Sequence, residues 1–254
     1  MDDARLSLLL TLLADGPGDP PALAEPLRLK RIHSAEVAGL CRLLAEAAGC
    51  CPQDVALAER MGWCHDLGRF PQYRKYRTFD DSRSANHAAL SLKLIAGLGL
   101  DRDLPPARRG LLRAAVGLHN RPQLPGALTG PLRFFAALLR DADRLDIFRI
   151  FREYYEAGPS PGSPLELGYP DTGALTPAVV DAVLAGRSPA YEEGATVQDM
   201  RLIKLSWGFT FETPGAAALL LKSGFLEATG RVLPDTGPTR AVLDFAASRL
   251  RAMP

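Results

Sequence analysis

The chain has 254 residues, 47% hydrophobic and 23% charged, and Lys+Arg 30 against Asp+Glu 29 leave a net charge of +1. That balance excludes a disordered polymer and offers no bulk basic excess of the kind that coats nucleic acid or a membrane surface. The length suits one large domain or two small ones.

The predicted elements follow the placement of Pro and Gly. The apolar run over residues 6–13 follows Asp2 and Asp3 rather than a basic start, so it reads as a buried first helix and not as a leader peptide. Residues 15–21 and Pro26 interrupt the chain. Residues 30–48 then place Ile32, Val37, Leu40, Leu43 and Leu44 at helical spacings that end before Gly49. Pro52 suits the first turn of a helix that covers 55–64 and leads into His65-Asp66. Residues 67–83 read as irregular, and Ser84 is a candidate cap for a helix reaching residue 96. Pro105-Pro106 opens a helix ending near His119-Asn120, a loop covers 122–130, and Pro131 starts a long apolar helix over 132–155. The Pro- and Gly-rich stretch 157–173 reads as a linker or surface loop, followed by weaker helical pieces at 176–185, 197–210, 214–222 and 237–252.

No segment shows sustained two-residue alternation between hairpin turns, so the expected fold class is all-α. The expected organisation is a helical domain over 1–156, with its core at 30–150, and a C-terminal helical extension over 157–254 packed on it in one globule. No run approaches the ~18 apolar residues of a membrane span. Cys41, Cys50, Cys51 and Cys64 do not form a secreted disulfide framework, so the expected location is the cytoplasm.

All four histidines fall in the first half. His33 lies in the first turn of one predicted helix, His65-Asp66 at the end of the next, His87 in the first turn of a third and His119 at the end of a fourth. Asp143 lies mid-way along a fifth, within Asp141-Ala-Asp-Arg-Leu-Asp146. Any one of these His, taken singly, is more often an ordinary surface or core residue. Together, five helices each offer an imidazole or a carboxylate, which is how helical bundles build metal sites. Such ligands suit Mn, Fe, Co, Ni or Zn. The residues alone leave Asp141, Asp143 and Asp146 as competing last ligands. There is no Walker-type phosphate loop, no Gly-x-Gly-x-x-Gly and no Ser-His-Asp or Cys-His constellation.

The order His33 … His65-Asp66 … Asp143 resembles the HD superfamily of metal-dependent phosphohydrolases. Trp63-Cys-His-Asp-Leu-Gly68 is similar to that family's apolar-His-Asp-apolar-Gly segment, and Ala142-Asp-Arg-Leu145 to its Ala-Asp-Lys/Arg-Leu pattern, which selects Asp143. His87 and His119 match the two intervening His of members that hold two metals. His65-Asp-Leu-Gly-Arg-Phe70 through Thr78-Phe-Asp-Asp-Ser82 to His87 resembles a bacterial subgroup. The resemblance covers residues 30–150. It implies an all-α HD-domain bundle in which His33, His65, Asp66 and Asp143 hold one divalent ion. Asp66 would bridge to a second at His87 and His119. One or two ions (Mn, Fe, Co, Ni, Mg or Zn) would activate a water to cleave a phosphate ester. Two other readings use the same residues: a di-iron oxygenase, and a non-catalytic metal-binding regulatory module.

On the substrate side, residues 69–83 carry five bases against two acids, with Phe70, Tyr73, Tyr76 and Phe79 at every third position. One reading is a loop tucked in by its aromatics with its Arg side chains in solvent. The other is an anion-binding wall, because guanidinium forks match phosphate oxygens. Arg69, three residues after Asp66, is the first candidate to act beside it on a phosphate. Arg83, Asn120 and Arg121 are further candidates for substrate contact. The expected partner is a small phosphorylated molecule such as a nucleotide; nucleic acid is disfavoured, since one basic loop is a small electrostatic footprint. Trp207 reads as core or interface packing, and the Leu-rich run 218–222 as buried or as a homodimer surface.

Overall fold

A computed structural model describes residues 3–16, 19–160 and 162–253. Asp2, part of the acidic start, and Pro17, Gly18 and Pro161, within two of the predicted breaks, lie outside the described residues. The described residues form helices and connecting turns with no strand. They divide into two compact units, Met1–Asp146 and Ile147–Pro254. The division falls inside a helix, where the sequence reading placed a boundary after residue 156.

The first unit holds α1 (Asp3–Ala14), α2 (Pro21–Ala47), α3 (Pro52–Cys64), α4 (Arg69–Tyr76), α5 (His87–Leu98), α6 (Pro106–Leu118) and the first part of α7 (Gly130–Glu156). Three of these differ from expectation. α2 starts nine residues earlier than residue 30, at Pro21, and runs through Pro26, so His33 lies mid-helix. Proline early in a helix removes only one ladder bond, and the Leu23 and Leu27 side chains on that turn are buried. Residues 69–76 are helical rather than irregular, because Phe70 and Gln72 turn inward and Arg77 closes the helix in the left-handed region. Asn86, not Ser84, caps α5: its side chain accepts from the Ala89 N–H at 2.9 Å.

Packing brings the ends of these helices together. α3 lies along α2, α6 packs on α3 and α5, and α4 is held between α2 and α5. Gly62 makes the α2–α3 contact close; a Cβ there would stand 2.5 Å from Ala38 Cα. Gly68 does the same at the next corner, where a Cβ would collide with the His87 carbonyl oxygen. Its N–H donates to Ser91 Oγ at 2.8 Å, and Ser91 Oγ donates to the His65 carbonyl at 2.6 Å, pinning the 65–68 corner to α5.

The second unit holds the rest of α7 with α8 (Pro177–Leu184), α9 (Val197–Ser206), α10 (Ala216–Lys222), α11 (Phe225–Val232) and α12 (Gly237–Arg251). α11 was not expected: Gly224, at a positive φ, restarts the chain, and Phe225, Leu226 and Ala228 give it a buried face. Phe148 packs against Phe225 and Phe211 in the core. α9 is buried along its whole length and carries Arg201, paired with Glu166 at 2.6 Å, and Lys204, which donates to the Leu165 carbonyl at 2.7 Å. Trp207 sits edge-on to Tyr191. No helix among the described residues is long and apolar enough to cross a membrane, and all four cysteines are free thiols.

Candidate metal centre

Six side chains named from the sequence meet inside the first unit. His33 lies on α2, His65 ends α3 with Asp66 next to it, His87 opens α5, His119 ends α6, and α7 carries Asp143. The imidazoles and Asp66 are buried, Asp143 half-buried. His33 Nε2 stands 3.3 Å from His65 Nε2 and 3.1 Å from Asp143 Oδ1. His87 Nε2 stands 3.0 Å from His119 Nε2. Asp66 lies between the two pairs. Its Oδ2 is 3.7 Å from Nε2 of both His33 and His65. Its Oδ1 is 3.4 Å from Nε2 of His87 and 3.7 Å from that of His119.

The opposite ring nitrogens are all engaged, and in the same way in each pair. One ring is held by a carboxylate: His33 Nδ1 by Asp146 at 2.6 Å, and His87 Nδ1 by Asp81 at 2.7 Å. The other is held by the carbonyl three residues before it: His65 by Gly62 and His119 by Val116, both at 2.7 Å. Carbonyls and carboxylates accept, so the network assigns the ring proton to Nδ1 in all four. His33, its charged form favoured by Asp143 and Asp146, can donate from Nε2 to Asp143. Wherever both rings of a pair are neutral, each Nε2 instead points a lone pair at another lone pair. A cation between them turns that repulsion into coordination, and outer carboxylates and carbonyls of this kind orient metal-ligating imidazoles.

The charges lean the same way. Burial pushes His65 down to about 4, and likewise His87, against the opposing pull of Asp66. His33 is different. Burial and Lys30 disfavour its charged form, but its bonds to Asp143 and Asp146 raise it to about 9. Burial alone would raise Asp66; Lys30, His65 and Arg69 hold it well below the usual carboxylate range. Asp143 is held low by His33 against the same burial effect. Two groups, His33 with His65 and Asp143, and His65 with Asp66 and His119, each bring one donor atom per residue within 4.8 Å of the others. Imidazole and carboxylate donors at that density fit a divalent ion of borderline softness.

The substrate candidates divide. Arg69 is partly committed within its own segment. Because 69–76 is helical, its Nη1 turns inward to the Phe79 carbonyl, Gln72 Oε1 at 3.0 Å and Asp81 Oδ1 at 3.2 Å, and its Nε lies 3.4 Å from Asp66 Oδ1. Asn120 donates to Asp81 Oδ2 at 3.0 Å. Arg83 and Arg121 are exposed and, among the described residues, make no hydrogen bond or ion pair with the cluster.

Three residues escaped the sequence reading. Lys30 donates to Asp66 Oδ2 at 2.9 Å, and its position one helical turn before His33 is the signal that could have found it. Asp81 collects His87, Arg69, Gln72 and Asn120, and Gln72 ties Asp81 to Ser84 Oγ and the Ala85 carbonyl. Asp146, weighed as a metal ligand, instead orients His33.

Residues 31–147, which include the six clustered side chains, match the family described as the HD domain. No curated protein and no solved structure matches the chain.

Proposed function

We propose, from the match of residues 31–147 to the HD domain, that this chain is a metal-dependent phosphohydrolase that cleaves a phosphate ester of a small molecule, such as a nucleotide, with water as the nucleophile. The observation that carries the reading is the facing of two imidazole pairs across the two oxygens of Asp66. His33, His65, Asp66 and Asp143 would hold one divalent ion, and His87, His119 and Asp66 a second. Ions bound there supply Lewis-acid charge for a phosphoryl oxygen and bring a coordinated water's pKa down from 15.7 toward ~7.

The chain's own groups do the positioning. Asp146 and Asp81 keep the Nδ1 protons on the outer side of His33 and His87, so that both Nε2 atoms face inward. Lys30 and Arg69 keep Asp66 ionised and place positive charge beside it. A protein nucleophile is not needed, and Cys64 is unsuited to the part: burial pushes its thiol up to about 12.

The test is to strip the protein, reload it with Mn, Mg, Co, Ni, Zn or Fe in turn, and assay nucleotides and small phosphoesters for phosphate release. Turnover restored by at least ~100-fold with one of these ions is the expected result. Stoichiometric redox-active iron with oxygen uptake and no phosphate release would instead favour an oxygenase. Ion uptake with no turnover on any ester would favour a regulatory module.

A further inference from the structure

We propose that Lys30 is a substrate-binding residue which, beside Arg69, grips the terminal phosphoryl group and makes the site select phosphomonoester dianions over phosphodiesters. This rests on the phosphohydrolase reading above. The first ground is position. His33, His65, Asp66, His87 and His119 have side chains no more than 5% exposed, whereas those of Lys30, Arg69, Asp81 and Asp143 are 15–29% exposed. Of these nine side chains, those four are the ones that solvent reaches. Two of them are cations, and each cation faces a different oxygen of the same carboxylate: Lys30 faces Oδ2 and Arg69 faces Oδ1.

The second ground is the supply of donors. An ammonium has three N–H groups, and among the described residues that of Lys30 makes one hydrogen bond, to Asp66. Arg69 spends Nη1 on its own wall, while its Nε makes no hydrogen bond. Both cations lie over one ring: Phe79 has Lys30 Nζ 5.4 Å and Arg69 Cζ 5.9 Å from its centroid, and it stacks on Tyr73 at 4.5 Å. The ring fixes the two charges on a common wall next to Asp66. With the Asp66 charge shared by divalent ions, Lys30 would be left with charge and N–H groups to offer an anion, and Arg69, whose Nε is buried against Asp66, with charge beside it.

Charge then decides the substrate class. A phosphomonoester at mildly alkaline pH carries two negative charges on three terminal oxygens. A diester carries one charge on two. The second cation rewards the extra charge and the extra oxygen, and a rigid Arg fork already committed to Asp81 cannot do this alone.

The test measures binding of inorganic phosphate and of dimethyl phosphate to the metal-loaded protein by calorimetry at pH 8, with metal content determined in parallel. Wild type is expected to bind phosphate at least ~10-fold more tightly than dimethyl phosphate. Lys30→Met should weaken phosphate by ~10–100-fold, leave dimethyl phosphate within ~3-fold, and keep the metal content of wild type. Lys30→Arg should recover part of the loss. Equal weakening of both anions, no change in either, or loss of metal from Lys30→Met would each overturn the inference, the last by showing that Lys30 serves only Asp66. A wild-type protein that releases phosphate from esters but whose anion binding ignores Lys30 sinks this inference alone. One that takes up no metal and cleaves no ester sinks the phosphohydrolase reading with it.

Discussion

In the first unit, Asp66, Asp143 and Asp146 are gathered with four imidazoles whose Nε2 atoms face one another and the Asp66 and Asp143 carboxylates. In the second unit, Arg201 and Lys204 are buried beside Glu166, while the other buried carboxylate of α9, Asp199, is taken up by Thr176, Ala195 and Thr196, so cations are in surplus around Glu166. The second cluster settles its surplus internally. Arg201 also donates to the Val232 carbonyl, and Lys204 to that of Leu165, while lying 3.9 Å from the Phe151 ring centroid. The first cluster has such an answer only for His33, whose Nε2 faces Asp143 Oδ1 at 3.1 Å; His87 and His119 are left Nε2 to Nε2 at 3.0 Å. Carbonyls and ring faces are abundant in any fold and can absorb extra cations; extra lone pairs have to wait for a cation from outside. Buried charge by itself therefore does not mark a functional site. The sign of the unmet demand does.

That contrast can be broken or sharpened at several points. The largest effect should come from Asp66→Asn, which removes the charge shared by both imidazole pairs. We expect metal content near zero and ester hydrolysis reduced at least ~1000-fold, read by elemental analysis and phosphate release. Next come the orienting carboxylates. Asp146→Asn and Asp81→Asn should each weaken metal binding or turnover by ~10–100-fold. Only Asp146→Asn should also lower the unfolding temperature clearly, because Asp146 is fully buried whereas Asp81 is partly exposed. A smaller effect is expected from the metal itself. At 100 times its Kd, an ion binding only the folded state adds about 2.7 kcal/mol, a rise of several degrees in Tm that a chelator should abolish.

The smallest effect belongs to the second unit. Lys204→Met should leave metal content and turnover unchanged and alter stability by no more than ~1–2 kcal/mol near neutral pH, in either direction. Its pH signature is sharper. Burial lowers the Lys204 ammonium to about 7 from an ordinary 10.5, so the protonated form is the costly one in the folded state. The cost is complete below pH 7 and fades as pH rises toward 10.5. Wild type should thus gain Tm across that window, and Lys204→Met should lack the gain, as followed by circular dichroism.

Most helices could be read from the sequence because Pro and Gly punctuate them and their apolar faces repeat at helical spacing. α4 could not, since its Arg and Lys residues give it little intrinsic apolar pattern and its burial is carried by Phe70 and the polar Gln72. α11 could not because only eight residues follow Gly224 before Leu233 leaves the helix. At the site, His33, His65, Asp66, His87, His119 and Asp143 were nameable because their order along the chain has a recognisable pattern. Asp81 and Gln72 act through hydrogen bonds between segments, which leave no spacing to read. Arg69 was named for its charge and its place three residues after Asp66, but its inward turn depended on a helix that the sequence did not announce. Arg83 was named as part of the basic stretch and Arg121 for its place after His119, and both face solvent.

The four thiols give the chain an internal clock for opening of the site. Cys51 is exposed, while Cys41 and Cys64 are fully buried with their thiols pushed up by burial. Cys64 adjoins His65, and Cys41 lies on α2 with His33. A thiol-alkylating reagent should modify Cys51 at once, and reach Cys41, which lies against Gly62 of α3, only when the α2–α3 pair separates. Mass spectrometry of the slow adducts would report how often that pair comes apart, and how far a bound ion lengthens the interval.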